Sequence, residues 1–106
     1  MTGKNKEKFE AFLFNNIYSE NEYHNKEDAL CHYDNLKHEM QVGVIIAYYE
    51  SLDLVISIGV NLSYTCPFCW ELIYDYNYQS TINYPSRKEA TLAAFKEADK
   101  LIKKQL

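Results

Sequence analysis

The chain has 106 residues, 47% apolar and 25% charged, with a formal net charge of -4, the profile of one folded domain rather than of a disordered or fibrous chain. Its longest apolar run, Val42 to Tyr49, contains Gly43 and falls well short of the roughly 18 residues a membrane helix needs. Three cysteines, an odd number in a chain of this size, argue against a secreted disulfide framework, and no signal-peptide pattern follows the basic first residues, so a cytoplasmic setting is expected.

In chain order, Phe9, Phe12, Leu13 and Ile17 are spaced as on a helix over about residues 6 to 16. Asn25, with Asp28 in the first turn after it, is a helix N-cap. The helix it opens carries Ala29, Leu30, Tyr33, Leu36 and Met40 on one face. From Val42 to Tyr49 apolar residues would surround a helix on every side, while the β-branched content suits a strand. A strand is expected there; the alternative is a second helix running on to about residue 51 with only a two-stranded hairpin after it.

Glu50 to Asp53 reads as a turn. Leu54, Ile56, Ile58, Val60, Leu62 and Tyr64 then alternate with Val55, Ser57, Gly59, Asn61 and Ser63, the period of a half-buried strand. A second alternation sets Trp70, Leu72, Tyr74, Tyr76 and Tyr78 against Glu71, Ile73, Asp75, Asn77 and Gln79. Ser86 and Glu89 make a capping box, and Ala90, Thr91, Ala94, Phe95, Ala98, Leu101 and Ile102 form the inner face of a last helix. The expected fold is α+β, in the order α-α-β-β-β-α: an antiparallel three-stranded meander with the C-terminal helix packed on one face.

Cys66-Pro67-Phe68-Cys69 is the sharpest local motif. In these four letters it resembles the redox site of glutaredoxins, which implies thiols activated at a helix N-terminus. Here the motif falls past the midpoint of the chain and leads into a strand, so the context of that family is missing. The thiol spacing also suits half of a zinc knuckle, with Cys31, His24, His32 and His38 as candidates for the other half; Cys31, Asp34 and His38 would share a helical stripe. The expected set is Cys66, Cys69, Cys31 and His38, with zinc as the only cofactor considered. The plainer account is a Pro-Phe turn flanked by two small thiols.

Charge is distributed unevenly. Phe9 to Ser86 holds eleven carboxylates against Lys26 and Lys37, and no Lys or Arg occurs from His38 through Ser86. Such a sheet repels phosphates, which disfavours nucleic acid on it, and the aromatic strand residues lack the cations of a base-stacking platform. Ser86-Arg87-Lys88-Glu89-Ala90 loosely resembles the basic start of the last helix in double-stranded RNA binding domains, but only Arg87 and Lys88 match, and the likeness is one of topology. No phosphate loop, nucleophile elbow or metalloprotease motif is present, and Glu71 with Asp75 is the nearest approach to a carboxylate pair. The expected function is a non-enzymatic interaction module that meets a basic protein, or a second copy, through Asp53, Glu71, Asp75, Asn77 and Gln79. The same charge pattern suits a nucleic-acid mimic of the kind that phage and mobile-element inhibitors use.

Overall fold

A computed structural model describes residues 1–17, 25–62 and 64–104. Helix α1 (Gly3–Phe12) runs into a π-helical turn (Leu13–Ile17) and is followed by α2 (Lys26–Asp34) and α3 (His38–Ser51). Strands β1 (Leu54–Val60), β2 (Phe68–Tyr74) and β3 (Asn77–Tyr84) form one antiparallel sheet in the order β1-β2-β3, and α4 (Arg87–Lys103) closes the chain. The expected α+β class, the three-stranded meander and the C-terminal helix on one sheet face are all present.

Two elements differ from the sequence reading. Residues 42 to 49 are helical, the middle of α3, despite their β-branched side chains. Helix α2 ends first: the Asn35 amide donates to the Cys31 carbonyl at 2.8 Å, and the Gln41 amide reaches back from α3 to the Tyr33 carbonyl at 3.0 Å. Helix α3 is apolar all round because it is packed on several sides, with Tyr48 and Tyr49 fully buried and Val44, Ile45 and Ile46 packed against the core. Tertiary burial thus outweighs an intrinsic preference worth only tenths of a kcal/mol per residue, roughly. Asp53, at φ 62°, ends the helix in the left-handed conformation usually given to glycine.

The second difference lies in residues 70 to 79, which are two strands rather than one. Tyr74 pairs with Asn77 across a two-residue turn, and Asp75 and Tyr76 have φ of 51° and 64°. Positive φ at both central residues defines the type I′ hairpin turn, normally signalled by Asn-Gly or Asp-Gly. Asp-Tyr gives no such signal. The strand expected at residues 42 to 49 is therefore replaced by β3, so the meander is formed by different segments.

The inner face of the sheet carries Leu54, Ile56, Trp70 and Leu72, all buried. Helix α4 lies across β2 and reaches both outer strands, while α3 packs beside β1. Three alanines of α4, Ala90, Ala94 and Ala98, have no exposed surface, which lets the helix sit close to the sheet. Its start is capped as expected, with the Ser86 hydroxyl accepting from the Glu89 N–H at 3.2 Å, and α2 begins in the same way, Asn25 accepting from the Asp28 N–H at 2.9 Å.

Helices α1, α3 and α4 are joined by one buried amide. Asn5 of α1 donates from Nδ2 to the Tyr49 hydroxyl at 3.2 Å and to Asp99 Oδ1 at 2.7 Å, and accepts from the Tyr48 hydroxyl at 2.5 Å on Oδ1. Phe9 and Phe12 of α1 pack against the Tyr48 ring, with centroids 5.2 and 5.5 Å away. Burial pushes both tyrosines up to about 12; Asp99 reinforces this, and the Asn5 donor opposes it at Tyr49. Burial also works against ionisation of Asp99, but hydrogen bonds from Asn5 and Lys103 and nearby positive charge outweigh it and hold the carboxyl below its usual range.

Asn5→Ala strips partners from two buried hydroxyls and a carboxylate, and is expected to lower unfolding free energy by roughly 2 to 4 kcal/mol in denaturant titration, against about 1 kcal/mol for Tyr49→Phe. The tyrosine pKa values are raised on folding, so the stability held by the neutral phenols is intact below pH 10 and is lost as pH rises through about 12. A Tyr48→Phe/Tyr49→Phe double variant is therefore expected to lose less stability than the parent between those values, as followed by circular dichroism against pH.

Candidate functional site

The strand register determines which side chains share the open face of the sheet. Val55 is opposite Ile73, and Ile73 is opposite Tyr78, so one row crosses all three strands. These residues are 43%, 48% and 58% exposed. The adjacent row is Ser57, Glu71 and Ser80, all exposed, and beyond it Cys69 lies over Gly59, where an added Cβ would come within 3.2 Å of the Cys69 sulfur. Among the described residues, no helix packs over this face, and it carries no Lys or Arg.

The expected partner-binding residues are divided by this geometry. Glu71 stands in the middle of the open face. Asp53 and Asp75 are at one end of the sheet, because Leu54 and Tyr74, the residues next to them, are paired. Asn77 and Gln79 belong to the other side. They pair with Tyr74 and Leu72, and with Leu101 and Lys104 they border a cavity of about 270 Å³ under the end of α4. The two-residue turn causes this split by resetting the alternation, and it also sends Tyr76 and Tyr78 outward, away from the face of Trp70 and Tyr74 on which the sequence pattern places them. Tyr76 at the turn tip is 103% exposed.

The metal set is likewise dispersed. Cys66 lies in the loop before β2 and Cys69 within β2; the Pro67 carbonyl accepts from the Asn61 N–H at 2.7 Å, so the hairpin turns before Pro67 rather than at Pro67-Phe68. Cys31 is exposed on α2, which packs on α1 and the π turn, and His38 opens a different helix, so the stripe of Cys31, Asp34 and His38 is broken by the bend at Asn35. His24 is outside the described residues. Among the described residues, no three His, Cys, Asp or Glu side chains gather closely enough to hold a metal ion.

On the helical side, a groove of about 710 Å³ runs between α1, α2, α3 and α4. Phe9, Leu30, Tyr33, Ile45, Leu92 and Phe95 supply its apolar lining. Lys6 and Lys96 line it together with Glu10, Asp34 and Asp99, so it presents no single sign of charge.

Tyr76 holds a left-handed conformation that is costly for any residue with a Cβ, with no packing in return. Tyr76→Gly creates the favoured Asp-Gly turn and is expected to add about 1 kcal/mol of stability and about 4 °C to Tm in a thermal melt; a fall in Tm would contradict this account of the turn. Comparison with known protein families, with characterised proteins and with solved structures yields no match to this chain, so its function rests on the geometry alone.

Proposed function

We propose that this chain is a protein-interaction module whose open sheet face binds a partner with an apolar centre flanked by cations. The observation that carries the reading is the exposed row Val55, Ile73 and Tyr78, lying next to Glu71 on a face with no Lys or Arg. Apolar side chains in cross-strand contact form one patch rather than scattered singles, and a patch of this kind on a sheet left uncovered is what a docking surface requires. Tyr78 and Tyr76 are rigid, amphipathic anchors of the type that dominates binding energy, and the strained turn projects Tyr76 to the end of the patch.

Charge selects the partner. Glu71 sits on one side of the apolar row, and Asp53 and Asp75 sit on its other side at the end of the sheet, so a basic surface is steered toward the face and an acidic one is repelled. Two copies stacked face to face would bring these acids near their own kind. Nucleic acid is disfavoured on this face for the same reason.

The test compares proteins retained by the immobilised chain with those retained by three variants. Glu71→Lys/Asp75→Lys is expected to lose the specific partner, whereas Glu39→Lys, a reversal at the start of α3, keeps it. Ile73→Ser, which leaves the charges intact, is expected to weaken retention at least tenfold, the scale of about 1.4 kcal/mol. Retention unaffected by Glu71→Lys/Asp75→Lys and by Ile73→Ser would rule out the sheet face.

A further inference from the structure

The two edges of the sheet are unequal. Along β1, helix α3 packs against the strand, and the Arg87 guanidinium donates to the Ile58 carbonyl at 3.4 Å. Along β3, among the described residues, no strand pairs with the outer side. Asn77 to Tyr84 contains no charged residue, no proline and no glycine, within a stretch of chain that lacks Lys and Arg. Natural edge strands are usually blunted by lysines, prolines, inward charges or bulges. Strand β3 has none of the first three, and its bulge, opposite Phe68 and Trp70 with Asn83 at φ 79°, lies beyond Thr81 and leaves Asn77 to Thr81 in regular register.

The hairpin fixes which backbone groups face outward. A two-residue turn makes its flanking residues, Tyr74 and Asn77, a hydrogen-bonded pair, and alternation then bonds Leu72 with Gln79 and leaves Tyr78 and Ser80 turned away from β2. The opposite end of the sheet agrees, because the Asn61 N–H bonds to the Pro67 carbonyl, which by the same alternation turns the Ile58 carbonyl outward to where Arg87 meets it.

We infer that the β3 edge pairs with β3 of a second copy of this chain, antiparallel about a two-fold axis at Gln79, making a continuous six-stranded sheet. With that register Tyr78 faces Ser80 of the other copy on both sides of the axis, and about four main-chain hydrogen bonds close. Antiparallel pairing about a two-fold axis sets a strand against itself, so a strand free of charge is self-complementary where a charged one is not. A second copy is thus the occupant that fits a neutral edge, whereas the acidic open face fits a basic partner. The inference does not depend on that other surface, which stays exposed in the pair.

Sedimentation velocity from roughly 10 µM to 1 mM, the range in which so small a contact associates, is expected to show a monomer–dimer equilibrium. Ser80→Pro removes only an outward N–H and is expected to give a monomer with unchanged circular dichroism. Gln79→Lys and Gln79→Glu each place like charges across the axis and are expected to weaken the dimer at least tenfold, and an equimolar mixture of the two is expected to restore it. A parent chain that stays monomeric throughout overturns the inference and leaves the edge to a foreign strand. A dimer that survives both Gln79 variants, or a mixture that fails to reassociate, overturns it as well, whether or not the proline variant folds.

Discussion

The arrangement of the helices depends on the side-chain amide of Asn5. It is fully buried on α1, yet its partners come from the far end of α3 and the last turns of α4, so three segments distant in sequence meet at one group. An apolar contact tolerates sliding, but an amide with a donor side and an acceptor side does not. The hydroxyls of Tyr48 and Tyr49 and the Asp99 carboxylate can be satisfied together only in one placement of α1, and a buried group left unsatisfied costs more than a satisfied one contributes. The aromatic contacts around Tyr48 supply burial, and the amide supplies the register.

The starts of α2 and α4 and the class of the fold could be read in the sequence because their causes are local. Asn25 and Ser86 cap the helices they precede, the alanine face of α4 packs on the sheet, and β1 alternates as its letters do from Leu54 to Ser57. The strand ends at Val60, however, and Val60, Leu62 and Tyr64, expected on the inner row, are exposed. The misread elements have distant causes. Val42 to Tyr49 is helical because neighbours cover it on several sides, which no window of sequence displays. The turn at Asp75-Tyr76 lacks the glycine that would announce it, so the tyrosine alternation runs through it unbroken on paper and changes parity in space.

That one turn explains why the candidate site was legible only in part. The carboxylates and the absence of cations are matters of composition and could be read directly. The apolar row of Val55, Ile73 and Tyr78 depends on register, and register depends on where β2 stops. Asn77 and Gln79 left the acidic face and Tyr78 joined it for the same reason. Cys31 and His38 belong to a different case, since their shared stripe presumed a continuous helix and Asn35 ends it.

The distribution of charge between the two layers has an effect before any contact is made. Helices α1 and α4, which pack together, hold most of the lysines, while the sheet and its turns hold acids without a cation. A molecule so divided carries a permanent dipole directed from the sheet toward the α1–α4 pair. In the field of a charged surface it rotates as it diffuses, turning the sheet toward positive potential and the α1–α4 pair toward negative, so orientation is chosen at a distance of about one Debye length, near 8 Å at physiological ionic strength. Salt would therefore slow the encounter more than it would loosen an apolar contact once formed.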